Sequence, residues 1–281
     1  MSAIGLNLGF AKSRHVLPGF RLSLGFTLFY LASLVLIPLL ALMIRPVELG
    51  FGGFWNAIST PRVLASLRLS FGMALAAAVI DSLFGLVIAW VLVRYRFRGK
   101  GLLDAVIDLP FALPTAVAGI ALSTLYAPNG WIGSLLAEYG IRVAYTPWGV
   151  LVAMVFISLP FTVRTVQPVM SELGLEVEEV AATLGATRIQ TLARVVMPML
   201  APAILTGMAM AFARAAGEYG SIIFIAGNIP AVSEIAPLLI VTKLEQYDYA
   251  GASAIGVVML AASFVLLLML NGLQSWAAKR R

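Results

Sequence analysis

The sequence predicts an all-α protein that crosses a membrane six times. Hydrophobic residues make up 61% of the 281-residue chain, charged residues make up only 11%, and the mean hydropathy is +0.98. Soluble globular domains do not reach such values, because they need a polar surface. Six apolar runs are long enough to cross the hydrocarbon core of a bilayer as helices, the structure in which a single segment satisfies all its backbone groups.

The six predicted spans are separated by charged or turn-forming segments. The 23-residue run between Arg21 and Arg45 is too long for the apolar core of a signal peptide, so we interpret it as a retained span. The fourth run has 15 residues before Arg164, and we expect it to continue to Met170 while the Arg164 side chain extends to the membrane surface. The predicted spans are residues 22–44, 69–93, 105–127, 149–170, 202–225 and 250–272.

The distribution of positive charge predicts which side of the membrane each loop faces. A cytoplasmic N-terminus places 13 Lys and Arg residues on the inner side and 5 on the outer side, as the positive-inside rule requires. Both ends are then cytoplasmic, with residues 1–21 as an N-terminal tail and residues 273–281 as a basic C-terminal tail. The loop of residues 171–201, here called the docking loop, is predicted to be cytoplasmic as well.

The docking loop carries the most informative pattern in the chain. Apolar side chains recur every three or four residues from Val169 to Leu184, which predicts an amphipathic helix. Gly185 suits the left-handed position that ends such a helix. Thr187 and Gln190 have the spacing of a capping box, which predicts the start of a second short helix. The loop is therefore predicted to be a helix, a glycine turn and a helix.

The sequence argues against an enzyme that works alone. No Walker A sequence is present, so the chain lacks a phosphate loop for ATP. With no cysteine and one histidine, it has no thiol nucleophile, no plausible catalytic triad, and no thiolate or His-rich metal site. The net charge of +6 comes mostly from cations at the ends of apolar runs, and no RNA-binding signature is present. We expect no metal, cofactor or nucleic acid to bind this chain, and we expect lipid contact along the spans.

Three residues of the fifth predicted span, with Arg214 and Glu218 near its middle, form a candidate anion path. Arg214 and Glu218 are four residues apart on one helix face, and Ser221 follows. Ionisable residues inside a membrane are costly, which points to a functional or structural reason for them. Arg214 offers a fixed fork of donors to a tetrahedral oxyanion. The alternative is an intramembrane ion pair, within the chain or with a neighbouring subunit, that holds helices together.

The third span is predicted to be bent or locally unwound. Asp108 is followed by Pro110 and Pro114, which remove backbone donors and clash with the preceding turns. Broken helices at membrane depth occur where they are buried or line a water-filled path, so these residues are a candidate gate, with a packing kink as the alternative. In the second span, Asp81 is expected to make an interhelical hydrogen bond, with a proton relay as the alternative.

The docking loop resembles the EAA loop of the membrane subunits of type I ABC importers. That pattern is Glu-Ala-Ala, three residues, Gly, nine residues, an aliphatic residue, any residue, an aliphatic residue and Pro. Val180 departs from it by replacing the first alanine. The matching positions are Glu179, Ala181, Gly185, Val195, Met197 and Pro198. The resemblance implies an ATPase-coupling site at Glu179, Ala181, Ala182, Leu184, Gly185, Ala186, Thr187, Arg188 and Pro198.

Longer stretches resemble the T-type permease subunits of sulfate/thiosulfate importers. These include RYRFRGKGLLDAVIDLPFALPTAVAGIAL, FTVRTVQPVMSELGLEVEEVAATLGATR and AFARAAGEYGSIIFIAGNIP, and the similarity extends from about Leu17 to Gln274. The resemblance implies a type I ABC importer permease fold, with six transmembrane helices and cytoplasmic coupling helices, in the bacterial inner membrane. The implied function is translocation of sulfate or thiosulfate, driven by a partner ATPase.

The resemblance also implies an assembly. Its members would be a W-type permease subunit in a heterodimer with this chain, two copies of an ATP-binding subunit that hold ATP and Mg, and a periplasmic sulfate-binding protein. Molybdate and tungstate permeases share the loop and the GEYG-like stretch, so they are the nearest alternative. A proton-coupled anion carrier that works alone, with Asp81, Glu218 and Arg214 as its relay, is a further alternative.

Overall fold

The computed structural model describes residues 19–279 and is all-α in that range, which confirms the predicted fold class. In that part of the chain, five helical stretches are long and apolar enough to cross a membrane: Leu22–Ile58, Pro61–Arg94, Pro147–Glu172, Arg188–Ala216 and Tyr249–Gly272. A shorter apolar helix, Thr115–Tyr126, lies in the third predicted span. Most of the predicted N-terminal tail and the last two residues of the C-terminal tail lie outside the described residues.

The chain divides into two units, and the first is Met1–Ile44. Its described part contains α1 (Phe20–Leu31), a π-helical turn (Ala32–Leu36) and α2 (Ile37–Ile44). The wide π turn comes just before Pro38, whose ring would clash with the carbonyl of a regular preceding turn. The proline is thereby accommodated without ending the helix.

The second unit, Arg45–Arg281, is built from helices of very different length. In chain order it contains a 3₁₀ turn (Arg45–Leu49), α3 (Gly50–Ile58), α4 (Pro61–Arg94), α5 (Lys100–Ile107), α6 (Leu109–Ala112), α7 (Thr115–Tyr126), α8 (Trp131–Glu138), α9 (Pro147–Glu172), α10 (Glu176–Thr183), α11 (Arg188–Thr191), a π-helical turn (Leu192–Val196), α12 (Met197–Ala216), α13 (Ile222–Ile225), α14 (Ala236–Glu245) and α15 (Tyr249–Lys279).

The core of this unit forms where α4, α9 and α12 pack together. Asp81 of α4 bonds to Ser158 of α9, and one turn further along both helices Gly85 lies against Thr162, so α4 and α9 run in the same direction. Gly207 of α12 approaches Thr162 from another side, and a Cβ atom on either glycine would lie 2.9 Å from this threonine. Small residues thus bring three helices into close contact, as is common in membrane bundles.

The third predicted span is divided, as the prolines predicted. α5 ends at Ile107, α6 ends at Ala112, and α7 begins at Thr115 after Pro114. Leu113 and Pro114 both have extended ψ angles. For Leu113 the reason is that a residue before proline avoids the helical region. The prediction of a bent or unwound segment is confirmed.

The predicted fifth span, 202–225, is wrong at its end. The helix stops at Ala216, because the Glu218 carboxylate accepts hydrogen bonds from the backbone N–H and the hydroxyl of Ser221, which favours a turn over a further helical turn. The short α13 follows that turn. Apolar residues on both sides of the turn conceal it from a hydropathy profile.

The start of this helix also corrects the predicted docking loop. α11, the π turn and α12 form one apolar helix, Arg188–Ala216, where the sequence predicted a short helix and a loop that ends at residue 201. The Met197 N–H donates to the carbonyl of Leu192, and this wide turn accommodates Pro198. At the other terminus, α15 extends to Lys279, so the predicted tail 273–281 is helical in its described part.

Candidate functional site

The docking loop has the predicted order of helix, glycine turn and helix. α10 ends at Thr183, and Gly185 follows with a φ of +83°, a conformation that disfavours residues with a Cβ atom. Thr187 Oγ1 accepts from the Gln190 N–H at 3.4 Å, and Gln190 Oε1 accepts from the Thr187 N–H at 2.9 Å. The predicted capping box is therefore confirmed, and it opens the long helix that leads into α12.

The first helix of the loop differs from the prediction. The apolar pattern from Val169 to Leu184 predicted one helix, but α9 ends at Glu172 and α10 starts at Glu176. Gly174 lies between them with a φ of +56°, so the chain turns there although the apolar spacing continues. The turn divides the apolar residues: Leu173 and Ala181 are buried, and Val180 and Leu184 are exposed.

Arg94 attaches α10 to the end of α4. Its Nη2 atom lies 2.8 Å from Glu178 Oε1 and donates to the carbonyl of Gly174 at 3.2 Å. Its guanidinium lies 5.7 Å from the centre of the Trp90 ring, and only 9% of the side chain is exposed. In the sequence, Arg94 is recognisable only as an inner-side cation, because nothing in the local sequence relates it to a glutamate on another helix.

The loop presents an open apolar surface beside a groove of about 510 Å³. Leu184 and Ile189 are 83% and 79% exposed, in a loop that also exposes Thr187, Arg188 and Gln190. Four of the predicted coupling residues line the groove: Glu179, Ala182, Ala186 and Arg188. Leu184, Gly185 and Thr187 are exposed nearby, Ala181 is buried, and Pro198 lies further along the helix in α12. The arrangement suits the docking of another protein.

Arg214 and Glu218 are in direct contact. Arg214 Nη1 lies 2.6 Å from Glu218 Oε2, and the other carboxylate oxygen accepts from the N–H and hydroxyl of Ser221 at 2.8 and 2.9 Å. The Glu218 side chain is only 2% exposed, whereas 31% of the Arg214 side chain is exposed. The three residues of the candidate anion path therefore form one cluster, in which the buried carboxylate is neutralised and the guanidinium remains accessible.

This cluster lies against the start of α7. A Cβ atom on Gly119 would collide with the backbone of Ser221, and one on Gly220 would collide with the Thr115 side chain. Thr115 directly follows Pro114, so the structure brings the proline-broken segment and the candidate anion path together. This contact could not be predicted from the sequence, because a glycine in an apolar helix does not reveal what packs against it.

Asp108, unlike Pro114, is held by α9 and not placed beside the Arg214 cluster. Arg164 of α9 bonds to both carboxylate oxygens of Asp108, at 2.7 and 2.6 Å, and to Asp104 Oδ1 at 2.8 Å. Arg164 is therefore paired with two aspartates, and all three side chains are 30–45% exposed, so the prediction that Arg164 extends to the membrane surface stays a prediction. The edge-to-face contact of Phe111 with Phe161, at 5.1 Å, also holds the broken segment against α9.

The docking loop and the Arg214 cluster are suited to binding. In the part of the chain that the structure describes, no group of three His, Asp or Glu side chains is arranged to hold a metal ion. The docking loop supplies an accessible apolar surface, and the Arg214 cluster supplies a cation beside a broken helix.

Comparison with known proteins identifies relatives over nearly the whole chain. Residues 81–281 match the model of the family described as binding-protein-dependent transport system inner membrane component. The sulfate transport system permease protein CysT of Salmonella typhimurium is 49% identical over 269 residues, which cover 96% of this chain and 97% of that protein. The protein of the same name from Synechococcus elongatus is 51% identical over 254 residues, which cover 90% and 91%.

A solved structure shares the fold. It is a bacterial ABC transporter involved in the import of the acidic polysaccharide alginate, with a TM-score of 0.74 at 15% identity, over 91% of this chain and 94% of that chain. At this level of identity, the similarity supports the fold alone.

Proposed function

Since the chain belongs to the family of binding-protein-dependent transport system inner membrane components, we propose that it is the permease subunit of an ATP-driven sulfate importer. It is a membrane transport subunit and not an enzyme, and its family works with ATP-binding and substrate-binding partners. The observation that carries the proposal is the identity of 49–51% with sulfate transport permeases over at least 90% of the chain.

The proposed assembly contains this chain, a W-type permease subunit, two copies of an ATP-binding subunit and a periplasmic sulfate-binding protein. ATP and Mg bind to the ATP-binding subunits, and this chain binds no cofactor. The docking loop and both termini face the cytoplasm in this proposal. The positive-inside count supports that orientation, and so does the exposed apolar surface beside Leu184, which is available to an ATP-binding subunit.

The docking loop is connected to all three core helices, which supports a mechanical role. Arg94 links α10 to α4, and Gly174 links α10 to α9. The continuous helix Arg188–Ala216 leads from the capping box to Arg214. Closure of the ATP-binding subunits would thus move the loop and the core together, and shift the population between inward-open and outward-open states.

The proposed anion path runs past Arg214. Nη1 is engaged by Glu218, and among the described residues the other guanidinium nitrogens donate no hydrogen bond, so they are available to an oxyanion. Glu218 neutralises the charge of Arg214 and keeps its attraction for the transported anion weak. A weak attraction suits a path from which the anion must leave. Import of a dianion against an interior-negative potential costs about 2.3 kcal/mol per charge per 100 mV, so uphill import needs an energy supply, which is ATP in this proposal.

Uptake into proteoliposomes tests the proposal. The chain is reconstituted with each candidate set of partners, and the entry of labelled sulfate, thiosulfate and molybdate is measured with and without ATP. We expect ATP-dependent entry of sulfate that requires the binding protein. Entry of molybdate without sulfate would reassign the substrate, and entry driven by a pH gradient in this chain alone would identify a proton-coupled carrier.

A further inference from the structure

Asp81 is a buried carboxyl group without a counter-charge. It lies in the middle of α4, is fully buried, and contacts α9 through Ser158. Its Oδ1 atom has no hydrogen-bond partner within the described residues, and neither does Oγ1 of Thr162, one turn along α9 from Ser158. A carboxylate in this position would keep only one hydrogen bond in place of its hydration.

The hydrogen bonds around Ser158 require two hydrogens. Its Oγ atom lies 2.5 Å from Asp81 Oδ2 and 2.6 Å from the carbonyl oxygen of Met154, and both distances are those of O–H···O hydrogen bonds. A serine hydroxyl carries one hydrogen, and a carbonyl can only accept. If Asp81 were ionised, one hydrogen would have to serve both contacts. A protonated Asp81 supplies the second one.

The charged side chains on the helices around Asp81 are engaged elsewhere or exposed. These helices are α4, α9 and Arg188–Ala216. Their paired cations are Arg62 with Glu234, Arg94 with Glu178, Arg164 with Asp104 and Asp108, and Arg214 with Glu218. Their other charged side chains are exposed, namely Arg68, Glu172, Arg188 and Arg194. An ionised aspartate near the bilayer centre is energetically costly, and no described cation offsets that cost.

We propose that Asp81 holds a structural proton. The neutral acid donates from Oδ2 to Ser158, and Ser158 donates to the carbonyl of Met154, which completes a directed chain of two hydrogen bonds. This chain fastens α4 to α9 one turn from the contact of Gly85 with Thr162. The proton stays bound throughout the transport cycle, in contrast to a relay role, and the inference does not depend on which anion is transported.

Infrared spectroscopy tests the protonation state directly. The chain contains four aspartates, and the other three are ion-paired: Asp104 and Asp108 with Arg164, and Asp248 with Lys243. In a chain labelled with ¹³C at the side-chain carboxyl carbon of aspartate, a carboxylic acid band that shifts with the label is therefore assigned to Asp81, since the ion-paired aspartates give carboxylate bands. In nanodiscs, we expect a label-sensitive carboxylic acid band that persists from mildly acidic to mildly alkaline pH and is absent from Asp81→Asn. Label-sensitive carboxylate bands alone would overturn the proposal.

Thermal unfolding of the same samples provides a second readout. Asp81→Asn keeps a neutral donor for Ser158, so its Tm should remain near that of the wild type. Asp81→Ala and Ser158→Ala should each lower Tm by about 2–4 °C. Ser82→Ala is the matched control, because the Ser82 hydroxyl bonds within its own helix to the carbonyl of Ala78.

Two results of these measurements would contradict the proposal. One is a decrease in Tm for Asp81→Asn that is as large as the decrease for Asp81→Ala. The other is a rise in the wild-type Tm on addition of sodium or potassium that Asp81→Asn does not show, since that would mean that an ionised Asp81 binds a cation.

Discussion

Gly119 of α7 lies directly against the backbone of Ser221, in the turn that follows α12. Ser221 is also the residue whose N–H and hydroxyl hold the Glu218 carboxylate, at 2.8 and 2.9 Å. A glycine on one broken span therefore sets the position of the turn that carries the buried end of the Arg214 ion pair. The contact couples the proline-broken segment to the proposed anion path.

Gly119→Ala should reduce sulfate uptake about tenfold or more. The added methyl group would collide with the backbone of Ser221, so α7 and the turn must separate, and Glu218 would lose part of its hydrogen bonding. The measurement is ATP-driven uptake in proteoliposomes, normalised to the amount of assembled complex. Gly72→Ala in α4 is the control, because a Cβ atom there meets no described atom within 4 Å. Equal uptake by the two variants would contradict a tight contact at Gly119.

Arg94→Ala should uncouple ATP hydrolysis from transport. The change removes the link from α4 to Glu178 and Gly174, so movement of α10 reaches the core less effectively. We expect about a tenfold lower ratio of sulfate transported to ATP hydrolysed. Both rates are measured on the same proteoliposomes. Glu172→Gln, which changes an exposed glutamate at the end of α9, should leave the ratio unchanged, and an unchanged ratio in Arg94→Ala would remove the proposed link.

Gly185→Val should abolish transport, and Gly185→Asn should retain most of it. The φ of +83° is strained for a β-branched residue, whereas asparagine tolerates the left-handed region. No described atom lies within 4 Å of a Cβ atom at this position, so the difference between the variants would report the backbone conformation and not a clash. Co-purification of the ATP-binding subunit and uptake of sulfate are measured together. Normal association and uptake in Gly185→Val would show that the turn is dispensable.

The features that the sequence predicted correctly depend on residues close together in the chain. The capping box needs Thr187 and Gln190, and the break in the third span needs Pro110 and Pro114. In each case the local chemistry of the backbone decides the outcome.

The features that the sequence could not predict are contacts between distant segments. Arg94 meets Glu178 and Arg164 meets Asp104 across large separations in sequence, and no local spacing indicates either pair. The end of α12 was missed for a different reason: the bonds from Ser221 to Glu218 are local, but they lie inside an apolar run that conceals the turn.

A pair of variants distinguishes a conducting role of Arg214 from a structural one. Arg214→Ala leaves the buried Glu218 carboxylate without its cation, which should destabilise the complex by about 3–5 kcal/mol whatever else Arg214 does. Its effect on uptake is therefore ambiguous. Arg214→Ala combined with Glu218→Gln removes the unpaired charge, and the glutamine can still accept hydrogen bonds from Ser221.

If Arg214 conducts the anion, the double variant should assemble normally but import sulfate about tenfold more slowly, because the path has lost its positive side chain. Glu218→Gln alone is the matched control, since it keeps the guanidinium and removes the neutralising carboxylate, and it should assemble. Assembly is measured by size-exclusion chromatography and Tm, and flux by uptake of labelled sulfate. Wild-type flux in a fully assembled double variant would mean that the pair only holds the turn after α12 in place, and the anion path would then have to be sought elsewhere.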